Sequence, residues 1–311
     1  MKVRHALSSL AAVLAVLSIA APALAGDEAC HLSLVTKVDM SIDASGRVNV
    51  PMRVSGQTMN MLIDTGGVSS MLTEQAADAA GLHPEAVADN VRIVNFGGYV
   101  INRFVRAQGV EFGDHLRAPW KAFLILPDKM HMGTDIQGIL GPEILRAYDD
   151  EFDFANGKFS LFEPSHCDGN LVYWTDADHA EIPFTMPHGP HIIVDVELDG
   201  QKMQAILDTG ASNSILDLES AESLFGFDEK SPLLKKLGQT ADGYVYKYPF
   251  KKMSIGGVIV DNPDIVLRSR EDIKAFGDRP RMLVGISILR QLHLYISYRQ
   301  QRIVATPASA H

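Results

Sequence analysis

The chain has 311 residues, 46% of them apolar and 21% charged, with a formal net charge of −10. That length admits one large domain or two moderate ones, and the composition is that of an ordinary soluble protein. The acidic balance argues against nucleic acid and anionic membrane as partners.

At the N-terminus, Lys2 and Arg4 precede an apolar run from Ala6 to Ala21, then Pro22 and the small-residue site Ala23-Leu24-Ala25. This pattern predicts a secretory signal peptide over residues 1–25, cut before Gly26. A membrane anchor would need about 20 apolar residues, more than the run supplies. Cleavage removes Lys2 and Arg4, so the mature chain is more acidic still. No later stretch is apolar for long enough to span a bilayer, so no membrane insertion is expected after cleavage. The signal predicts export, to the periplasm in preference to the medium.

The next segment contains a pattern that returns. Val48, Val50, Met52 and Val54 alternate with other residues, as do Ile192, Val194, Val196 and Leu198. Period-two alternation predicts half-buried strands. Ser55-Gly56-Gln57 and Asp199-Gly200-Gln201 follow as hairpin turns, with glycine supplying the unusual dihedrals. Each second strand then runs into Asp-Thr-Gly: Asp64-Thr65-Gly66 and, 144 residues on, Asp208-Thr209-Gly210. Without any gap, Gly56, Gln57, Met59, Asp64, Thr65, Gly66, Ser70 and Leu72 recur as Gly200, Gln201, Met203, Asp208, Thr209, Gly210, Ser214 and Leu216. The chain therefore reads as two copies of one lobe.

Thr73 and Asp217 are good N-caps, so short helices are expected over residues 74–80 and 218–225, stopped by Gly81 and Gly226. Residues 91–105 and 237–248 read as hairpins with glycine near the tip. Gly113 and Gly256 mark further turns. Ile139-Leu140-Gly141 then matches Leu283-Val284-Gly285 at the same offset. A short apolar helix and a closing strand are expected after each. Residues 163–181, with Pro164 and Gly169, form the natural linker. The expected division is residues 26–167 and 168–311.

Cys30 and Cys167 are the two cysteines. They flank the first lobe, and in an oxidising compartment a bridge would tie its ends together. By the loop-entropy account so long a loop gives about 4–5 kcal/mol. Two unpaired thiols are the alternative.

A single Asp-Thr-Gly is an ordinary turn, the Asp capping a local N–H and the Gly taking positive φ. Two copies at the ends of apolar strands are different. Each carboxylate is expected to be partly buried, where an unpaired charge is costly, and a pseudo-twofold axis would bring them together.

The two Asp-Thr-Gly motifs, with Ile139-Leu140-Gly141 and Leu283-Val284-Gly285, resemble the retropepsin-like aspartic proteases, especially bacterial exported members with both lobes on one chain. The resemblance covers most of residues 45–165 and 180–306. It implies an all-β, bilobal fold with a few short helices, and Asp64 and Asp208 as the catalytic dyad. Thr65 and Thr209 would bond across the lobe interface. Gly66 and Gly210 would let the backbone approach the carboxylates. The two apolar-apolar-Gly segments would pack beneath the opposing strands. Hairpins around Gly97-Gly98-Tyr99 and Gly243-Tyr244 would be flaps over the substrate. The first motif continues Gly67-Val68-Ser69 and the second Ala211-Ser212-Asn213, so an asymmetric cleft is expected.

Other signals are weaker. His188-Gly189-Pro190-His191 reads as a surface turn, because Gly and Pro break any helix that would align the rings on a metal. No serine-hydrolase elbow, phosphate loop or dinucleotide fingerprint is present. The lysine pairs Lys235-Lys236 and Lys251-Lys252 read as solvated faces, and Trp120 and Trp174 as packing or cleft-edge residues. The expectation is thus a monomeric aspartic endopeptidase acting on peptide or unfolded protein, without metal or other cofactor. Its rival is a peptide-binding protein on the same fold that does not turn over.

Overall fold

The computed structural model describes residues 32–88, 93–94, 100–127, 132, 135–165, 171–187, 189–240, 243–268 and 280–309. The signal peptide, Cys30, Cys167, His188 and the flap residues Gly97, Gly98 and Tyr99 lie outside the described residues. The chain is mostly β, with short helices at Glu74–Ala79, Pro142–Leu145, Leu218–Phe225 and Ile286–Leu289.

Each lobe begins with the expected hairpin. Val48–Val54 pairs antiparallel with Gln57–Ile63, and Ile193–Leu198 with Gln201–Leu207. The turn residues all take positive φ: Ser55 49°, Gly56 82°, Asp199 45° and Gly200 84°. Two consecutive left-handed residues make a type I′ turn, whose twist matches that of the strands it joins. The helix caps also form where the sequence placed them. Thr73 accepts from Ala76 N and Asp217 from Ser220 N, and Gly226 closes its helix at φ 67°.

The apolar-apolar-Gly segments lie elsewhere than expected. They do not pack beneath opposing strands. Gly138–Leu140 enters its own lobe's sheet, parallel to Gln57–Ile63 and antiparallel to Met71–Leu72. Met282–Val284 does the same between Gln201–Leu207 and Ser214–Asp217. All three residues of each inserted strand are buried, and a parallel neighbour needs a long crossover, which the intervening hairpins supply.

The closing segments also differ from expectation: each is a hairpin rather than a helix and one strand. Asp149–Asp153 pairs with Lys158–Phe162, and Leu292–Ser297 with Arg302–Pro307. The short helices precede these hairpins, inside the repeated block itself. The hairpins join the lobes: Asp150 pairs with Ile296, Glu151 with Tyr295, Phe152 with Leu294 and Asp153 with His293. Leu34–Asp39 and Ala180–Thr185 add at the two ends, so the seam is a continuous twofold-like sheet. Phe152, Phe159, Leu294 and Ile296 are fully buried in a core that runs through both lobes.

The segment read as a linker covers part of this seam. Leu171 and Val172 are buried against Phe162, Tyr295 and Val304. Trp174 stacks on His293 at 4.1 Å and 5°, and its indole N–H donates to Thr306 (3.0 Å). Beneath them His293 Nε2 lies 3.1 Å from Glu151 Oε1, and Tyr173 donates to the same oxygen at 2.5 Å. Trp120, by contrast, is 59% exposed. His191 is buried, which corrects its reading as part of a surface turn. It closely precedes the Ile193–Leu198 strand, and the chain turns inward there.

Candidate active site

Asp64 and Asp208 stand at the ends of Gln57–Ile63 and Gln201–Leu207, one residue beyond each strand. Both are fixed by the inserted strands, since Asp64 N donates to the Leu140 carbonyl (3.0 Å) and Asp208 N to that of Val284 (3.0 Å). The turn that follows folds each carboxylate onto its own backbone. Gly66 N donates to Asp64 Oδ1 (3.0 Å), and Gly210 N to Asp208 Oδ1 (2.9 Å).

The threonines lock the two turns together. Thr65 N donates to Thr209 Oγ1 and Thr209 N to Thr65 Oγ1, both at 3.1 Å. Each hydroxyl passes its own hydrogen across the interface, Thr65 to the Leu207 carbonyl and Thr209 to that of Ile63, both at 2.9 Å. Both side chains are buried. Among the described residues each hydroxyl bonds to the other lobe, so each turn is tied to its counterpart as well as to its own strand.

This lock brings the acids face to face. A Cβ on Gly66 would lie 2.3 Å from Asp208 Cγ, and one on Gly210 would lie 2.5 Å from Asp64 Oδ1. Only glycine allows that approach. Asp208 is buried and Asp64 half-buried. The carboxyls are within hydrogen-bonding reach of each other. Burial, then the charge of Asp208 and the bond to it, push Asp64 well above the ordinary carboxylate range, against the opposing pull of the Gly66 and Gly67 amides.

The glycine of each apolar-apolar-Gly segment has an equally steric reason. A Cβ at Gly141 would fall 2.4 Å from the Ser69 carbonyl carbon, and one at Gly285 2.4 Å from the Asn213 oxygen. The loop leaving each Asp therefore crosses directly over that glycine.

Residues 50–144 and 194–288 both match the family described as aspartyl protease. The chain belongs to the aspartyl protease family. The two matched segments carry the offset seen in the sequence repeat, and each spans one Asp-Thr-Gly and one apolar-apolar-Gly segment. No curated protein sequence matches the chain. Among solved structures it resembles basic 7S globulin from soybean, with 12% identity and a TM-score of 0.52, over 90% of this chain and 96% of that one. At that identity the likeness is one of fold.

The site of this aspartyl protease family member is asymmetric. Leu62, Met71 and Ile139 cluster in the first lobe, and their repeat partners Ile206, Ile215 and Leu283 cluster with Ile193 in the second. Among the described residues the first cluster is larger, taking in Ile93 and Ile101 from two short strands that pair with each other. The segment expected as the second flap is a hairpin of Lys235–Thr240 and Gly243–Lys247, with Gly243 at φ 121°. Tyr244 is exposed there, and Lys236 Nζ sits 3.1 Å over its ring, so this lysine is not simply solvated. The turn before Val48 also reaches the second lobe: a Cβ on Gly46 would touch Ser212, four residues after Asp208.

Sequence reasoning assigned no role to Ser70 and Ser214, although both recur in the repeat. Ser70 Oγ accepts from Gly141 N (2.9 Å), and Ser214 Oγ from Gly285 N (3.0 Å). Each serine ties the loop after its Asp to the inserted strand. Their recurrence at the 144-residue offset was the available signal.

Proposed function

We propose that the protein is an aspartic endopeptidase in which Asp64 and Asp208 together activate one water for attack on a peptide bond. The observation that carries this reading is the meeting of the two carboxyls across the Thr65–Thr209 lock. Two acids so close cannot both ionise without large cost, so the pair holds one proton, the behaviour for which aspartic proteases are the standard example. The two titrations belong to the pair and not to either residue.

In the ground state one carboxylate is ionised and its partner protonated. The ionised member accepts a proton from water as its oxygen bonds to the scissile carbonyl carbon. The protonated member gives its hydrogen to the carbonyl oxygen as charge develops there. The resulting tetrahedral diol collapses when the nitrogen takes a proton from one member of the dyad and a diol hydroxyl returns its proton to the other, and the C–N bond breaks to give an acid and an amine, with the singly protonated pair restored. The Gly66 and Gly210 amides hold the carboxylates in place throughout. The flap hairpins would close over an extended peptide or unfolded segment and exclude bulk water. Export as a monomer to the periplasm, with a Cys30–Cys167 bridge, fits this reading and the signal-like N-terminus.

The test is digestion of a peptide library by the purified protein between about pH 3 and 8, beside Asp64→Asn and Asp208→Asn. The expected result is cleavage strongest at acid pH, lost by roughly 10³-fold or more in each variant. Peptide binding without cleavage at any pH would overturn the reading in favour of a peptide-binding protein.

A further inference from the structure

The two loops that leave the dyad are anchored by different chemistry. In the second lobe, Ser214 N donates to Ser287 Oγ (2.9 Å), which donates onward to the Asp264 carbonyl (3.1 Å). That relay is neutral. At the equivalent place in the first lobe stands Glu143. Ser70 N donates to both its oxygens, at 3.0 and 2.9 Å. Lys121 Nζ lies 2.7 Å from Oε1, with 19% of the lysine side chain and 34% of the glutamate's exposed. The lysine also lies 5.6 Å from the buried Phe123 ring, which limits its freedom.

Ser70 is held at every polar atom. Its amide meets Glu143, its hydroxyl takes the Gly141 amide, and its carbonyl takes Leu124 N at 3.1 Å. Leu124 belongs to Leu116–Ile125, the same strand as Lys121. The loop from Gly66 to Ser70, whose start holds Asp64 by its amides, thus ends on a charged clamp.

We propose that Lys121 and Glu143 are positioning residues for Asp64, acting through Ser70 in the first lobe alone, and that protonation of Glu143 loosens the clamp and lowers hydrolysis on the acid side. This rests on the proteolytic reading of the dyad. The charged group facing Glu143 from the neighbouring strand is Lys121, and the loop contributes the hydroxyl and the amide of Ser70. Arg146, on the turn that ends the glutamate's own helix, acts on Tyr298. Burial pushes Glu143 up, but the Lys121 and Ser70 contacts outweigh it and hold the carboxyl below its usual range. The clamp therefore keeps its charge at acid pH, where the dyad holds its shared proton. It is intact above the ordinary carboxylate range and is lost as pH falls through the lowered value.

The experiment compares Lys121→Met, Glu143→Gln and the double variant. Without its lysine, Glu143 protonates at higher pH, so the acid limb of kcat in Lys121→Met should rise by about one pH unit, with KM little changed. Glutamine stands in for the protonated acid: it lacks the charge that pairs with Lys121, and it cannot titrate. The double variant should therefore lose the upward shift that Lys121→Met alone produces. An unmoved acid limb in Lys121→Met, or one equally displaced in the double variant, overturns the proposal, because a merely structural ion pair would do that. Amide exchange over residues 66–72 and 210–216 gives a readout free of catalysis. Lys121→Met should speed exchange in the first segment alone as pH falls, and equal change in both overturns the clamp. If the wild type cleaves nothing, the proteolytic reading fails while exchange still decides the anchoring.

Discussion

Thr65 and Thr209 each satisfy the other's backbone amide, and each donates to the carbonyl of the residue that precedes the other's Asp by one position. Four buried hydrogen bonds thus cross the lobe interface at the residues adjoining the two acids. Replacing Thr65 by Val keeps the shape but leaves Thr209 N and the Leu207 carbonyl without their partner. Each orphaned buried group costs about 1–3 kcal/mol. We expect Thr65→Val to lose about 2–5 kcal/mol in denaturant unfolding, with much of it recovered in Thr65→Ser. Thr65→Val and Thr209→Val should be strongly non-additive, because both break the same network.

Gly66→Ala and Gly210→Ala should fail for a different reason. The new methyl would meet the opposing carboxyl at 2.3 or 2.5 Å, and the threonine lock leaves the backbone little room to retreat. Overpacking of this kind costs about 1–3 kcal/mol. The larger effect should be on hydrolysis, because the acids are forced apart; a fall of about 10²-fold or more in kcat/KM is expected. Steady-state kinetics beside unfolding curves separates the two effects.

The dyad should also mark the stability profile. Asp64 is raised in the folded state, so its contribution is fully present below the ordinary carboxylate pKa and is lost as pH rises through the raised value. Asp64→Asn removes the like-charge pair. The variant should be more stable than wild type at neutral pH, and the difference should shrink towards about pH 3. Thermal unfolding across that range checks both sign and window.

The seam should respond in the opposite sense. Burial raises Glu151, but the hydrogen bonds from His293 and Tyr173 outweigh it and hold the carboxyl below its usual range. Its stabilising contribution is therefore present above the ordinary carboxylate pKa and is lost as pH falls through the lowered value. Removing one member of a buried pair costs about 3–5 kcal/mol. Glu151→Ala should lose that much at neutral pH and progressively less in acid. Trp174→Ala, which uncovers His293, should weaken the same pair.

Asp150 makes a third case. Burial raises it far more than the Tyr298 hydrogen bond lowers it, and Asp149 adds to the rise. The hydroxyl of Tyr298 donates to Oδ2 at 2.8 Å, while Oδ1 has no partner among the described residues. Asp150→Asn keeps an acceptor for the tyrosine and removes the titration. Unfolding at neutral pH should show the variant at least as stable as wild type, with the advantage fading in acid.

The repeat, the hairpin turns, the helix caps and both Asp-Thr-Gly motifs were legible from residues alone. Each depends on neighbours within a few positions: Ser55-Gly56 takes its turn, Asp217 caps its helix and Gly226 ends it through local dihedrals and local hydrogen bonds. Tertiary structure decided what those pieces meet. The insertion of Gly138–Leu140 beside Gln57–Ile63, the Glu143 clamp on Ser70 and the covering of His293 by Trp174 join residues too far apart in sequence for any periodicity to record. The Ser70–Gly141 bond spans 71 positions, the threonine lock 144 and the Tyr298–Asp150 bond 148. A carboxylate at a strand end announces where a charge will stand. Whether a second one stands against it depends on how the two lobes close their common sheet.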